Sequence, residues 1–292
     1  MHVGIIGIGL MGHGIARNVL SRGGFPLSFL DHPGNQPVDE ITARGAQGCA
    51  TSAAVAAASD VVILCVTGSP QVEAIVTGTD GLTSGLKPGS VVVDCSTALP
   101  ESTLRMGEIV KAMGCDYIDA PMTRTARHAH DGKLNVLVGG EAATLEKVRP
   151  VLASFTESVA HVGPLGHGHR LKLLHNYVSV GFMTLLAEAA AQSADAGVDP
   201  QVFVDVLAGG GGASVALDRL APYIVEGNRE GLPFAVANAQ KDIDYYRSMS
   251  DAAGARTSIA DGVSGAISAA VDAGYGQAYL PELVKLFRKD VS

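Results

Sequence analysis

The segment His2-Val-Gly-Ile-Ile-Gly-Ile-Gly-Leu-Met-Gly12 decides the fold that we expect of this chain. A short apolar strand runs into three glycines spaced G-x-G-x-x-G, and the residues that follow have the apolar spacing of a helix. In this context the first glycine permits a tight turn, the second lets a phosphate approach the backbone, and the third lets the helix pack on the strand. The pattern predicts a dinucleotide-binding turn at Gly7, Ile8, Gly9, Leu10, Met11 and Gly12.

A carboxylate stands where such a turn needs one. Asp31 follows the second predicted strand, at about the distance past Gly12 that ribose recognition requires. A carboxylate there accepts hydrogen bonds from both ribose hydroxyls and repels a 2′-phosphate, and no arginine follows it directly. The cofactor that we expect is therefore NAD rather than NADP. The alternative is that the glycines are ordinary turn residues and Asp31 is a solvated carboxylate.

Short β-rich runs alternate with helical patterns over residues 1–162. The central runs are apolar on both faces, as parallel strands covered by helices on both sides must be. This alternation predicts an α/β Rossmann-type doubly wound sheet. The predicted strands are His2–Ile6, Leu27–Leu30, Val61–Val66, Val91–Asp94, Asp116–Ile118, Leu134–Val138 and Ser158–Val162.

Beyond Gly163 the β pattern disappears and helical patterns continue. The stretch Gly163–Gly168, G-P-L-G-H-G, marks the change. We therefore expect a dinucleotide-binding domain over residues 1–163 and an all-α substrate and dimerisation domain over residues 164–292. The predicted helices are Gly168–Gly197, Asp199–Leu207, Ala213–Val225, Phe234–Ala253, Ile259–Ala273 and Leu280–Arg288.

Composition excludes several classes of protein. Of 292 residues 47% are hydrophobic and 17% charged, which is typical of a packed globular enzyme. The net charge of −8 and the absence of tryptophan argue against a nucleic-acid surface. Because the net charge is negative, an anionic substrate would have to be held by positively charged side chains close to it.

Localisation and membrane contact follow from smaller signals. The four cysteines form no C-x-x-C pair, and reduced thiols in a cytoplasmic protein are the simplest interpretation. The apolar N-terminus runs straight into the glycine turn without a basic region, so it predicts a strand and not a signal peptide. The apolar stretch Leu171–Ala191 contains Lys172, His175, Asn176 and Glu188, which favours a buried helix over a membrane span.

A polar stripe marks the segment Gly166–Ser179. Lys172, His175, Asn176 and Ser179 are spaced i, i+3, i+4 and i+7, so on a helix they share one face among apolar neighbours. Unsatisfied buried polar groups cost about 1–3 kcal/mol each, so the stripe needs partners. If the stripe lines a cleft, Lys172 could exchange a proton with a substrate oxygen while hydride moves, and Asn176 could orient the substrate or the ammonium group. The alternative is a structural network without chemistry.

These residues together resemble the β-hydroxyacid dehydrogenase family, which includes 3-hydroxyisobutyrate dehydrogenase and is related to 6-phosphogluconate dehydrogenase. Asp94-Cys-Ser-Thr97 resembles its D-x-S-T stretch, which implies that Thr97 lies near the nicotinamide. Lys172-x-x-x-Asn176 is similar to its catalytic lysine and asparagine partner. Lys241-Asp242 resembles its K-D pair, in which the lysine approaches the cofactor. We also expect cofactor contacts from Val66 and Thr67.

The substrate loop departs from the family pattern. Asp119-Ala-Pro-Met-Thr-Arg-Thr125 matches D-x-P-V-S-G-G at its aspartate and proline, but Thr123 replaces the serine and Arg124-Thr125 replace the glycine pair. The arginine offers a charged fork and resembles the G-R-T version of sulfolactaldehyde reductase, where it helps to hold a sulfonate. Ser179 fits that subgroup, whereas His175 resembles the 6-phosphogluconate enzymes. The resemblance implies a small anionic 3-hydroxy acid or aldehyde as substrate, held by Thr123, Arg124, Thr125, His175 and Ser179.

Other interpretations stay open. Arg124 could be a surface ion pair, and the anionic group could be a carboxylate, sulfonate or phosphate. The same fold could serve a non-catalytic nicotinamide-binding protein, while imine reduction is disfavoured because that branch usually replaces the lysine. The H-x-H pairs at His128/His130 and His167/His169 lack further ligands, so we expect no metal. The long apolar helix predicted at Gly168–Gly197 favours a homo-oligomer, and the expected form is a dimer.

Overall fold

The structure is a computed structural model that describes residues 1–289. It divides into two compact units that meet in the sequence between Lys172 and Leu173. Residues up to Lys172 form the N-terminal unit, and residues from Leu173 onward form the C-terminal unit.

The N-terminal unit is built on one nine-stranded sheet in the order β3-β2-β1-β4-β5-β6-β8-β7, with β9 beside β8. The pairs from β3 to β6 are all parallel, β8 runs antiparallel to β6 and β7, and β9 is parallel to β8. The predicted Rossmann-type sheet is confirmed. Its strands are β1 (Val3–Ile6), β2 (Leu27–Leu30), β3 (Gln47–Cys49), β4 (Val61–Leu64), β5 (Val91–Asp94), β6 (Asp116–Asp119), β7 (Met122–Thr123), β8 (Leu134–Gly139) and β9 (Thr156–Gly163).

Helices cover both faces of this sheet, which explains why its central strands are continuously apolar. Along β4, Val61 and Ile63 belong to one hydrophobic cluster while Val62 and Leu64 belong to another. Successive side chains of a strand point to opposite faces, so both faces are buried. The helices are α1 (Leu10–Ser21), α2 (Asp39–Ala43), α3 (Ser52–Ala58), α4 (Ser69–Thr77), α5 (Pro100–Ala112), α6 (Ala126–His130) and α7 (Ala142–Phe155).

The sequence prediction missed two strands. β3 has the sequence Gln-Gly-Cys and forms an edge of the sheet, so it lacks an apolar run. β7 contains only Met122 and Thr123 and pairs with β8 at the other end of the path. Both are shorter than the runs from which periodicity can be recognised.

The C-terminal unit is helical. Its first helix, α8 (His167–Asp195), starts in the N-terminal unit and continues through 29 residues. One hydrophobic cluster forms the core, with Leu186, Leu220 and Ile243 among its buried members. The predicted all-α character is confirmed, and no helix among residues 1–289 is long and apolar enough to cross a membrane. The remaining helices are α9 (Pro200–Ala208), α10 (Val215–Glu226), α11 (Val236–Ala252), α12 (Ser258–Ala270) and α13 (Leu283–Leu286).

Candidate active site

The glycine turn between β1 and α1 contains two glycines that the protein itself requires. Gly7 has φ +102°, and a Cβ there would collide with the carbonyl oxygen of Cys65. A Cβ on Gly12 would collide with the carbonyl oxygen of Gly7. Gly9 is different, because its φ is −79° and nothing lies within 4 Å of a Cβ built on it. The open space beside Gly9 is what a backbone that receives a pyrophosphate needs.

The helix that follows can stabilise an anion at its N-terminus. Gly9 caps α1 without a side chain, and the first turn has no acidic residue. The backbone N–H groups of this turn therefore have no side-chain acceptor, and the helix dipole adds partial positive charge. Residues Gly7 to Gly12 fit the phosphates of a dinucleotide on this geometry.

The other predicted cofactor residues of the N-terminal unit follow the carboxyl ends of neighbouring parallel strands. Asp31 directly follows β2, and its N–H donates to the carbonyl of Cys49 at 2.8 Å. Beyond β4, the N–H of Val66 donates to Ser96 Oγ at 3.1 Å. Thr67 lies next to Val66, and Thr97 lies next to Ser96. The structure brings these residues to the same edge of the sheet as the glycine turn, where ligands bind in open α/β folds.

Two buried carboxylates end the next two strands. Asp94 of β5 and Asp119 of β6 are partners in the parallel register, and both are completely buried. Asp94 accepts a hydrogen bond from the Tyr117 hydroxyl at 2.9 Å. Asp119 accepts backbone N–H bonds from Gly166 at 2.8 Å and His169 at 2.6 Å, at the start of α8. Burial raises the pKa of Asp119, although His169 and the two N–H donors oppose that rise.

His169 is a polar residue whose place the sequence did not reveal. The imidazole is fully buried and lies 3.8 Å from Asp119 Oδ2 and 4.0 Å from Asp94 Oδ2. In the sequence, His169 forms half of an H-x-H pair with His167. A histidine three residues before the predicted catalytic lysine, in a glycine-rich approach, was the available signal.

Arg124 adopts a backbone conformation that favours glycine. Its φ is +81°, which costs a non-glycine residue about 1–2 kcal/mol. The side chain forms an ion pair with Glu157 and donates to the carbonyl of Lys133 at 2.8 Å. Beside it, Thr125 Oγ1 lies 2.8 Å from His128 Nδ1. The loop thus has the backbone geometry of a glycine position but presents a guanidinium, which already has an anionic partner.

In the C-terminal unit, two predicted site residues, Asn176 and Lys241, contact Asp242. The buried amide of Asn176 donates from Nδ2 to Asp242 Oδ2 at 2.6 Å. Lys241 Nζ lies 2.8 Å from Asp242 Oδ1 and 5.0 Å from the ring centre of Tyr245. On the other side of the amide, His175 Nδ1 lies 3.0 Å from Asn176 Oδ1. Asp242 belongs to the sequence pair Lys241-Asp242, but only the lysine was predicted as a site residue.

The remaining predicted residues lie on α8 and β7. Lys172 is half-buried and lies one helical turn before Asn176, as their spacing predicts. Ser179 Oγ donates to the backbone carbonyl of Asn176 at 3.4 Å. Thr123 ends β7 and is half-buried. Within residues 1–289, no group of three or more histidine, cysteine, aspartate or glutamate residues could hold a metal ion.

Both parts of the chain match known protein families. Residues 2–163 match the family described as the NAD binding domain of 6-phosphogluconate dehydrogenase. Residues 166–287 match the family described as NAD-binding of NADP-dependent 3-hydroxyisobutyrate dehydrogenase.

Individual relatives extend over most of the chain. The chain is 34% identical to 2-(hydroxymethyl)glutarate dehydrogenase of Eubacterium barkeri, over 82% of this chain and 79% of that protein. It is 30% identical to NAD-dependent L-serine dehydrogenase of Pseudomonas aeruginosa, over 83% of this chain and 78% of that protein. A crystal structure of 3-hydroxyisobutyrate dehydrogenase from Salmonella typhimurium superposes with a TM-score of 0.87 at 28% identity, covering 98% of this chain and all of that one.

Proposed function

Because this chain belongs to the β-hydroxyacid dehydrogenase family, we propose that it transfers a hydride between NAD and the CH–OH carbon of a small anionic 3-hydroxy acid, or reduces the corresponding aldehyde. Membership makes the chain an NAD(P)-dependent oxidoreductase. The observation that carries the proposal is the joint presence of the glycine turn, Lys172 and the Asn176–Asp242 pair in one chain. Loss of the lysine at position 172 would favour the alternative, a non-catalytic dinucleotide-binding protein, but this chain retains it.

The choice of NAD rests on Asp31. Its carboxylate follows β2 and is exposed, so it can accept hydrogen bonds from ribose hydroxyls. A 2′-phosphate would meet like charge there. The residues that follow, His32, Pro33 and Gly34, supply no guanidinium to offset that repulsion.

The proposed chemistry assigns the proton to Lys172. The bound dinucleotide supplies the hydride acceptor or donor. Lys172 accepts the alcohol proton in the oxidising direction and returns it in the reducing direction. The proton transfer prevents a full negative charge from developing on the substrate oxygen. Asn176, one turn further along α8, orients the substrate or the ammonium group through Oδ1, because its Nδ2 is engaged by Asp242.

The substrate class follows from the loop after β7. Arg124 offers two parallel N–H donors, the geometry that binds a carboxylate or a sulfonate. Its present partner Glu157 is half-exposed, and an ion pair at such a surface is worth at most about 1 kcal/mol. An anionic substrate group can therefore compete for the guanidinium. Thr123, Thr125, His175 and Ser179 complete the proposed substrate contacts.

A substrate panel tests the proposal. Purified enzyme with NAD is given 3-hydroxy compounds that carry a carboxylate, a sulfonate or a phosphate, and the reduced nicotinamide is followed by absorbance. We expect turnover of at least one member and a fall in kcat of about 10²–10⁴-fold in Lys172→Ala. Lys111→Ala, an exposed lysine of α5, is the matched control and keeps full activity. NAD binding without any turnover, or full activity in Lys172→Ala, rejects the function.

The exposed apolar face of the C-terminal unit supports a homo-oligomer. Helices α8 and α12 line a groove of about 640 Å³ whose side chains include Val178, Leu185 and Ile259. These three side chains are 61–74% exposed, and contiguous apolar surface of this kind marks an interaction site. We propose that a second copy of the chain covers it. A cytoplasmic location stays a prediction from the cysteines, all four of which are free.

A further inference from the structure

The imidazole of His169 joins three elements of the N-terminal unit. Nε2 lies 3.1 Å from the carbonyl oxygen of Ser96, and because a carbonyl only accepts, Nε2 is the donor. Nδ1 lies 2.7 Å from the hydroxyl of Thr103 in α5. His169 itself belongs to the first turn of α8. The proton and hydride transfers proposed above use none of these contacts.

Each of the two segments that His169 joins most directly is also anchored by a buried carboxylate. Asp119 accepts two backbone N–H bonds from the start of α8. Asp94 Oδ1 accepts the backbone N–H of Ser96 at 3.0 Å. The two carboxylates are register partners on neighbouring strands, so the sheet sets the distance between the segment after β5 and the start of α8. The His169 imidazole then links these two segments directly.

The start of α8 has no room to adjust. A Cβ on Gly168 would collide with the carbonyl oxygen of Leu137 and lie 2.7 Å from Asp119 Oδ2. Gly166 has φ +87°, a conformation that glycine adopts without strain. Close backbone contact of this kind holds the first turn at a defined position on the sheet edge.

We propose that His169 is a positioning residue for the reaction, which fixes the turn bearing Lys172 against the segment bearing Thr97. Lys172 follows His169 by three residues, about 4.5 Å along the helix, so a shift of the first turn carries the lysine with it. Thr97 directly follows Ser96. A misplacement of about 1 Å between reacting groups can cost about 10²-fold in rate. This inference rests on the proposed function, because it assigns Lys172 and Thr97 to the reacting centre.

The test compares two substitutions in the full-length enzyme. His169→Leu removes the donor to Ser96, whereas His169→Gln retains an N–H donor of similar reach. We expect His169→Leu to lower kcat about 10–100-fold, with the KM for NAD unchanged within about twofold. The primary deuterium isotope effect on kcat, with substrate labelled at the CH–OH carbon, should rise because hydride transfer becomes slower. His169→Gln should recover kcat to within about threefold of the wild type.

A matched control separates positioning from stability. Thr156→Val removes another buried hydrogen bond of the N-terminal unit, from Thr156 Oγ1 to the Leu152 carbonyl at 2.8 Å. It should lower Tm to a similar extent without changing kcat or the isotope effect. If His169→Leu lowers Tm but keeps the wild-type kcat and isotope effect, the residue is only structural and the inference is wrong.

Hydrogen exchange gives a readout that does not depend on activity. Backbone amides of residues 94–98 and 166–172 should exchange faster in His169→Leu, and at the wild-type rate in His169→Gln. Unchanged exchange in both segments of His169→Leu would refute the tie between them. A wild-type enzyme that turns over no substrate rejects the proposed function, while the exchange experiment still decides whether His169 connects the two segments.

Discussion

Asn176 Nδ2 donates to Asp242 Oδ2 across 2.6 Å, and both residues are buried. A carboxylate only accepts hydrogen bonds, so this contact determines which end of the amide faces Asp242. Oδ1 of Asn176 is thereby turned away from Asp242 and lies 3.0 Å from His175 Nδ1. An asparagine held this way offers an acceptor of fixed direction one turn beyond Lys172.

Replacing Asp242 by asparagine should therefore impair catalysis more than folding. An amide in that place can accept or donate, so Asn176 loses its fixed orientation. We expect kcat in Asp242→Asn to fall about 10–10²-fold, as measured by steady-state kinetics. Asp244→Asn, on the same helix and about half-exposed, is the control and should keep kcat. Equal activity of the two variants would contradict the orienting role.

Arg124→Gly tests why an arginine occupies a glycine conformation. The substitution removes about 1–2 kcal/mol of backbone strain but also the guanidinium. We expect Tm to stay level or rise, while the KM for the anionic substrate increases at least about tenfold. Arg127→Ala, from α6 of the same region, should leave KM unchanged. A substrate KM that does not respond to Arg124→Gly would make the arginine a surface ion pair with Glu157.

Asp31→Ala tests cofactor choice. Loss of the carboxylate removes the ribose hydrogen bonds and the repulsion of a 2′-phosphate together. The ratio of kcat/KM for NAD to that for NADP should fall at least about tenfold. Asp116→Ala is the control, because that exposed carboxylate starts β6 and so lies at the opposite edge of the sheet. Wild-type enzyme that prefers NADP would show that Asp31 does not set the choice.

The fold was predictable because its central strands satisfy one simple condition. Strands buried on both faces are predominantly apolar, and β4 and the three valines of β5 are recognisable on that ground alone. β3 was not predicted, because its three residues, Gln-Gly-Cys, lie at an edge of the sheet where burial does not require apolar side chains. β7 was not predicted, because a strand of two residues is too short to show a hydrophobic periodicity.

Residue patterns alone predict the candidate site only where its residues are close in sequence, whereas Thr97, Arg124 and Lys241 were expected from the family resemblance. The glycine turn and the Lys172–Asn176 spacing are local patterns that a helix or a turn enforces. His169 and Asp119 are separated by 50 positions, and Asn176 and Asp242 by 66. Those contacts depend on how β6 and α8, or α8 and α11, pack in three dimensions, and no sequence periodicity reports that packing. A surface ion pair was one of the alternatives for Arg124, but its partner Glu157 could not be identified from the sequence for the same reason.

The proposed dimer can be tested by measuring the mass of the protein in solution by sedimentation. Ile259 of α12 is 74% exposed and lines the groove, so a charged side chain there would be buried against a second copy without a partner. Ile259→Glu should therefore sediment as a smaller species than the wild type at equal concentration. Ile109→Glu, an exposed apolar position of α5 in the N-terminal unit, should not change the mass. A monomeric wild type would exclude the dimer.

The raised pKa of Asp119 predicts a pH dependence of stability. Burial favours the protonated carboxyl in the folded state, against His169 and two N–H donors that favour the charged form. A group whose pKa is higher when folded contributes stability that is complete below its ordinary value of 3.8 and is lost as pH rises through the folded pKa. Asp119→Asn cannot titrate, so the advantage of the wild type over this variant in free energy of unfolding should shrink as pH rises from about 4. Urea unfolding of both proteins across that range measures the difference. An advantage that grows with pH would mean that the N–H donors at the start of α8, together with His169, outweigh burial and that the folded enzyme favours the charged carboxylate.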